Sequence, residues 1–123
     1  FIPATGIVSA VVPVFARRPI AGYTLIAVAI LVTGFLSFGI WVHHMFATGL
    51  PELSKTFFTA ASLMIAVASG TQVFAWIATL WGSRPRLKLP LMYVLGFLFL
   101  FVLGGMTGVM VAVASFDFQA HDT

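Results

Sequence analysis

The sequence predicts an all-α fold, a polytopic bundle of transmembrane helices with three full spans and part of a fourth. Of its 123 residues, 61% are hydrophobic and only 7% are charged. A soluble globular domain carries about 25% charged residues, so this chain could not cover such a domain with polar surface. Three long uncharged stretches alternate with short polar connectors, a pattern typical of a chain that crosses a bilayer several times.

The full spans are predicted at residues 21–42, 57–80 and 91–116. Each stretch is long enough, at 1.5 Å per residue, to cross a hydrocarbon core of about 30 Å. The apolar stretch of residues 1–15 is too short to cross the membrane alone. We expect it to be the last part of a helix that begins upstream. We therefore expect one domain over residues 1–123, an internal segment of a longer protein.

The connectors predict an orientation in the membrane. The basic residues of the first and third connectors are Arg17, Arg18, Arg84, Arg86 and Lys88. Basic residues favour the cytoplasmic side of short loops, and an even number of crossings places these two connectors on the same side. Glu52, Lys55, His121 and Asp122 then face the opposite compartment. The net charge of +3 thus indicates orientation rather than binding to nucleic acid, and the lack of cysteine excludes disulfides and cysteine-ligated metals.

Two adjacent histidines, His43 and His44, follow directly on the first full apolar stretch. Imidazole is the commonest protein ligand for metals such as copper, zinc and haem iron. Adjacent side chains on a helix point about 100° apart, so two ligands of one metal would need a bent or locally unwound helix end. The alternative is a pair of interfacial histidines that share the headgroup region with Trp41.

The second full span carries five polar residues that fall on one helical face, namely Thr59, Ser62, Ser69, Gln72 and Thr79. Polar groups in a bilayer face the interior of a bundle, where they line a water path or bond neighbouring helices together. Bonding between helices is the more ordinary of the two interpretations.

Two further features lie in and after the third full span. The run from Gly104 to Gly108 interrupts that span and predicts close approach of a helix or a flat ligand. Beyond it, Asp117, His121 and Asp122 combine carboxylate and imidazole groups that could hold a cation such as Mg²⁺. Solvated loop residues are the alternative for this cluster.

Taken together, the motifs resemble the haem–copper oxidase subunit I family, the catalytic subunits of cytochrome c oxidases. The resemblance extends over essentially the whole chain and rests on four motifs: Trp41-Val42-His43-His44-Met45-Phe46, Ser69-Gly70-Thr71-Gln72-Val73-Phe74, Gly104-Gly105-Met106-Thr107-Gly108 and His121-Asp122-Thr123. Ile7-Val8-Ser9 and Arg17-Arg18-Pro19-Ile20 resemble bacterial members. The resemblance implies that the chain covers the end of helix VI to the loop after helix IX.

The resemblance implies a copper site on the histidine pair. His43 and His44 match two adjacent ligands of the copper ion that faces high-spin haem iron, and Trp41 matches an aromatic residue beside it. The third copper histidine and the ligands of the high-spin and low-spin haem irons are expected outside these residues.

The resemblance also implies roles on the outer side and along a proton route. Asp117 matches a carboxylate near a haem propionate, and His121 and Asp122 match a magnesium-associated pair. Two hydroxyl positions of a proton-uptake route are matched by Ser9 and Ser69. Gln72 stands where A-type members have a lysine, which is a departure from the family pattern.

The implied function is part of a terminal respiratory oxidase that reduces O₂ to water with electrons from cytochrome c, coupled to proton translocation. The implied partners are other oxidase subunits, cytochrome c and the lipid bilayer. The implied location is a bacterial inner (plasma) membrane, which the protein crosses several times. A quinol oxidase is the nearest alternative, but those tend to have Asn where Asp122 stands. A nitric oxide reductase is a more distant relative. From another class, the chain could be a transporter or a purely structural helical segment with a fortuitous histidine pair.

Overall fold

The computed structural model describes residues 1–121, and its secondary structure in that range is helical, without strands. The α-helices are α1 (Ile2–Ala16), α2 (Tyr23–Gly39), α3 (Glu52–Leu80), α4 (Leu89–Val111) and α5 (Ala114–Ala120). Two short 3₁₀ turns, Trp41–His44 and Phe46–Thr48, join α2 to α3. The predicted all-α class is confirmed.

The helix lengths differ in part from the predicted spans. Among the described residues, α3 with 29 residues and α4 with 23 residues are long and apolar enough to cross a membrane. Helix α2, which corresponds to the first predicted full span, has 17 residues because it ends at Gly39 rather than at residue 42. In α3 the helix starts at Glu52, ahead of residue 57, and α4 ends at Val111, before residue 116.

The packed core lies at the end of the bundle where α1 leads into α2 and α3 leads into α4. Its buried members come from all four helices and are Val8, Val12, Ile26, Ala75, Trp76 and Val94. Among them, Val12 and Trp76 have no exposed surface. A fully buried aromatic side chain contributes a large share of the packing energy of such a core.

The two basic connectors contact each other at this end. The Arg18 guanidinium donates from Nη1 to the carbonyl oxygen of Trp81 at 2.7 Å, and the backbone N–H of Arg86 donates to the carbonyl of Phe15 at 3.1 Å. The connectors therefore lie together, as the sequence predicted. The compartment that they face stays a prediction.

The longest interface is the antiparallel packing of α2 and the segment around it against α3. Three hydrogen bonds join the two sides at successive levels: Ala21 N to Thr79 Oγ1 at 2.9 Å, Gln72 Nε2 to Thr33 Oγ1 at 3.4 Å and His43 Nδ1 to Ser62 Oγ at 2.9 Å. As the residue number rises on one side it falls on the other, so the bonds define one register. This register brings the histidine pair beside the early turns of α3.

The close approach that the run from Gly104 to Gly108 predicts is not made by the described residues, and approach by a helix or ligand outside them stays a prediction. Helix α4 runs through these glycines without a break, and a Cβ added at any of the three would meet no atom within 4 Å. A helix in an apolar setting keeps its backbone hydrogen bonds, since no water replaces them, and this outweighs the low helix propensity of glycine. A break follows at Val113, whose backbone is extended, so α4 ends before the predicted end of the span at residue 116.

Candidate functional site

The adjacent histidines lie on a 3₁₀ turn and not on a continuous α-helix. Helix α2 ends at Gly39, Ile40 leaves the helical region with φ −114° and ψ 19°, and Trp41–His44 forms the 3₁₀ turn. The ring centroids of His43 and His44 are 4.3 Å apart, at an interplanar angle of 58°. The sequence argument required an unwound helix end for two ligands of one metal, and the structure has one at this position.

The tautomer of His43 follows from its hydrogen-bond partner. Its Nδ1 lies 2.9 Å from the hydroxyl oxygen of Ser62, and that hydroxyl donates its own hydrogen to the carbonyl of Phe58 at 2.5 Å. Because the only hydrogen of Ser62 Oγ is committed to Phe58, the hydroxyl accepts and Nδ1 of His43 carries the hydrogen that it receives. The lone pair of His43 is therefore on Nε2, the atom through which a neutral imidazole can bind a metal.

Trp41 packs on the other side of the pair. Its ring centroid lies 4.6 Å from that of His44, tilted by 44°, so His44 is flanked by Trp41 and His43. The indole is 59% exposed within the described part of the chain. The three aromatic side chains thus come together as the resemblance implies, with His44 between the other two.

The donor set fits copper chemically but is incomplete in this chain. Two neutral imidazoles are ligands that copper accepts readily, and one of them is already oriented through its second nitrogen. Within residues 1–121, no group of three or more His, Cys, Asp or Glu side chains could hold a metal ion. A complete coordination shell would therefore need further donors, and the third histidine outside these residues stays a prediction.

The polar face of α3 serves mainly to bond helices together. Ser62, Gln72 and Thr79 are buried, and Thr59 and Ser69 are half-buried, so all five lie on the inward side as predicted. Four of the five hydrogen-bond a residue of another element, namely Thr59, Ser62, Gln72 and Thr79. For these four, the structure supports the ordinary interpretation of bonds between helices.

Gln72 has an unusual hydrogen-bond balance. Its side chain has no exposed surface, and Nε2 donates to Thr33 Oγ1 over a long 3.4 Å. The hydroxyl of Thr33 gives its own hydrogen to the carbonyl of Ala29, so it can only accept from Gln72. This fixes the orientation of the carboxamide and leaves Oε1 buried without a partner among the described residues.

Ser9 of α1 forms its hydrogen bond to α3 with Trp76, one turn beyond Gln72, and not with Gln72 itself. The indole N–H of Trp76 donates to Ser9 Oγ at 2.9 Å, and Ser9 donates to the carbonyl of Thr5 at 2.8 Å. The bond to Trp76 joins α1 to α3 in the core. Sequence reasoning missed both Trp76 and Thr33, although a polar residue inside an uncharged stretch, as Thr33 is, was an available signal.

Asp117 lies within α5, and His121 follows the end of that helix one turn later. The carboxylate of Asp117 is 7% exposed, and its Oδ1 lies 3.7 Å from Nδ1 of His121. The pair is therefore a carboxylate beside an imidazole, as the spacing of four residues predicts. The third predicted member, Asp122, lies outside the described residues.

These features define a membrane-type helix bundle that presents two adjacent, oriented imidazoles from an unwound helix end. The family model described as cytochrome C and quinol oxidase polypeptide I matches residues 1–123. The chain belongs to this family and, with it, to the multi-pass membrane proteins.

Individual relatives agree with this membership. The chain is 46% identical over 122 residues to cytochrome c oxidase subunit 1 of Bacillus subtilis (strain 168) and to that of Cereibacter sphaeroides. It is 45% identical to the subunit 1 of Candida albicans over the same number of residues. Each alignment covers 99% of this chain but only 20%, 22% and 23% of the respective relative, so the chain spans about a fifth of their length. Because bacterial and yeast relatives match equally well, the bacterial plasma membrane stays a prediction.

Proposed function

We propose that this chain is part of the catalytic subunit of a terminal respiratory oxidase that reduces O₂ to water with electrons from cytochrome c and couples this to proton translocation. The observation that carries the proposal is the paired imidazole site, in which Ser62 holds His43 with Nε2 free to bind a metal. Family membership over all 123 residues supports it.

In this proposal the chain supplies part of the copper shell. His43 binds through Nε2, His44 binds beside it, and Trp41 packs against His44. Copper, together with a high-spin and a low-spin haem held by ligands elsewhere in the subunit, supplies the redox chemistry when bound. The Ser62 bond fixes the ring orientation of His43, a role that commonly changes metal affinity 10- to 100-fold, by order of magnitude, when it is lost.

The outer pair has a separate proposed role. Asp117 lies near a haem propionate, and His121 and Asp122 form a magnesium-associated pair. The buried Asp117 carboxylate beside the His121 ring supports this assignment. Hard cations such as Mg²⁺ take oxygen ligands and keep several waters, which suits a half-exposed site at the edge of a membrane.

Proton delivery is proposed to need no ionisable side chain at position 72. A carboxamide donates and accepts hydrogen bonds but has no protonation step near neutral pH. Gln72 is thus able to order a neutral chain of waters together with Ser9 and Ser69, or uptake has moved to another helix. The buried Oε1 of Gln72 has no partner among the described residues and is an acceptor available to a water hydrogen, so replacing this residue separates the two possibilities.

A direct test is to replace His43 and His44 by alanine, one at a time, in the full-length oxidase. Each variant is expected to lose most of its copper and all oxygen reduction, because removing one imidazole leaves the metal under-coordinated. Copper content by elemental analysis and oxygen consumption are the measurements. His121→Ala is the matched control and is expected to keep its copper. Normal copper content in either histidine variant would refute the ligand assignment.

A quinol oxidase is the second candidate, because the matching family includes quinol oxidases by its description. Asp122 favours cytochrome c as the donor, since quinol oxidases tend to have asparagine there. Steady-state oxygen consumption by the full-length enzyme with reduced cytochrome c, compared with a soluble quinol, separates the two. Turnover with quinol alone would favour the second candidate.

A further inference from the structure

One face of α3 contacts two separate parts of the candidate site. Lys55, Thr59 and Ser62 follow one another at spacings of four and three residues, so they lie along one side of the helix. Ser62 bonds the imidazole of His43, whereas the two earlier residues contact α5. We call these three residues the α3 platform.

The side chain of Lys55 packs against α5 and is largely shielded from solvent. Its ammonium lies 4.7 Å from the ring centroid of Phe118, and its side chain is only 14% exposed. Its ion-pair partner Glu52, at 2.8 Å, is 87% exposed. An ion pair with so exposed a carboxylate contributes little by itself, so the aromatic ring accounts for the covered position of the ammonium.

Thr59 bonds the first residue of α5. The backbone N–H of Ala114 donates to Thr59 Oγ1 at 3.3 Å. The first N–H groups of a helix have no partner inside it, and here a side chain of α3 accepts one of them. Thr59 and Lys55 thus hold the two ends of α5, at Ala114 and at Phe118.

Between these two contacts lies the functional residue of α5. Asp117 is buried, and its carboxylate faces Nδ1 of His121. Because α5 has only seven residues, it has too few internal hydrogen bonds to hold a position by itself. Its placement therefore depends on contacts with its neighbours, which are α3, α4 and the Phe46–Thr48 turn.

We infer that Lys55 and Thr59 are positioning residues that set the location of Asp117 and His121 relative to the copper-ligand pair. The same helix face holds His43 through Ser62, so the α3 platform connects the two metal-associated pairs through one rigid element. The inference concerns positioning by the chain itself, and only its metal readout rests on the proposed magnesium role.

The experiment compares three variants of Lys55 and Glu52 in the full-length oxidase. Lys55→Met removes the charge and keeps the length, Lys55→Arg keeps the charge and the contact with the ring, and Glu52→Gln is the control for the exposed ion pair. Amide hydrogen exchange of residues 114–120 and the retention of Mn²⁺, followed by electron paramagnetic resonance, are the readouts.

We expect Lys55→Met to raise amide exchange in residues 114–120 several-fold and to weaken Mn²⁺ retention, with copper content unchanged. Lys55→Arg and Glu52→Gln are expected to behave like the parent. Thr59→Val, which keeps the shape and loses the acceptor, is expected to speed exchange at Ala114.

Unchanged exchange in both Lys55→Met and Thr59→Val would overturn the inference, as would a failure of Lys55→Arg to restore protection. If the parent enzyme itself retains no Mn²⁺, the proposed magnesium role fails. The exchange data then still decide the positioning role, so the two failures are distinguishable.

Discussion

At the scale of single residues, the chemistry of the site depends on which atom carries which hydrogen. The hydroxyl of Ser62 donates its hydrogen to the carbonyl of Phe58. It can therefore only accept from His43, so Nδ1 is the protonated nitrogen of that ring. A metal ligand oriented in this way loses little rotational freedom when it binds, because its ring is already fixed. Ser62 therefore fixes the orientation of the His43 ring, whose Nε2 is the atom proposed to bind the metal.

The first prediction at this scale concerns the effect of replacing Gln72. In the full-length enzyme, reduction of the haem–copper centre before oxygen is added should proceed at a similar rate in the parent, in Gln72→Leu and in Gln72→Lys. The reason is that a carboxamide cannot take up a proton near neutral pH, so the parent does not rely on a protonation step here. Stopped-flow spectroscopy of the reduction step is the measurement.

Two results would contradict this expectation in different ways. A loss of orders of magnitude in Gln72→Leu with an intact Gln72→Lys would place the residue on the proton path. A many-fold gain in Gln72→Lys alone would show that proton supply at this position limits the parent, since an amine can take up and release a proton and a carboxamide cannot. Thr33→Val serves as the control for disturbed packing, because it removes the partner of Gln72 without changing its charge.

At the scale of elements, the joints between helices decide the geometry of the site. Helix α2 stops at Gly39, and the 3₁₀ turn at Trp41–His44 brings the two imidazoles side by side. A second 3₁₀ turn, Phe46–Thr48, buries Phe46 and ends at Gly49, whose φ of 81° suits glycine because it has no Cβ. The functional side chains thus lie on irregular segments held by regular helices.

The bond between Trp76 and Ser9 gives a prediction about how α1 is held to α3. Replacing Trp76 by Phe removes the N–H donor but keeps an aromatic ring, and Ser9→Ala leaves the indole N–H buried without an acceptor. Each change should lower the free energy of opening of α1 by about 1–3 kcal/mol. Amide hydrogen exchange of α1 in the full-length protein is the measurement.

The double variant separates the hydrogen bond from general packing. Because the two side chains share one hydrogen bond of 2.9 Å, the two changes should be coupled by about 1 kcal/mol, and their effects should not add. Strict additivity would show that the two side chains are independent. Val14→Ala, at an exposed position of the same helix, is a control that should change little.

At the scale of the whole molecule, the dominant feature is the apolar surface that the chain leaves uncovered. Only 6% of the most apolar stretch of α4 is buried, against 28% for α3. Exposed side chains on α4 include Phe99, Leu100 and Leu103. Such a surface is stable only against lipid or other helices, which agrees with membership of a multi-pass membrane family.

The orientation in the membrane provides the prediction at this scale. Helix α3 is about 43 Å long at 1.5 Å per residue, so its two ends emerge on opposite sides of a 30 Å core. In a cysteine-free full-length protein, Glu52→Cys should be labelled from the outer side and Arg86→Cys from the cytoplasmic side. Both positions are exposed, so both are accessible to a membrane-impermeant thiol reagent. Labelling of both from one side would contradict the topology.

The sequence by itself determined the class of structure and singled out the candidate site residues. Long uncharged stretches can satisfy their backbone groups in a bilayer only as helices, so the pattern alone predicts helical spans. The histidine pair, the polar face of α3 and the resemblance of the motifs were likewise visible without coordinates. The helix bounds were less exact, since α2 ends at Gly39 and α4 at Val111, before the predicted ends at residues 42 and 116.

Tertiary structure decided the contacts between residues that are far apart in the chain. The Ser62 bond to His43, the Trp76 bond to Ser9 and the contact of Lys55 with Phe118 each join residues on different elements. No local pattern encodes these pairs, because each depends on the register between two packed helices. The position of a helix end, such as Gly39, also depends on such packing, and it was therefore the structure that placed the two imidazoles together.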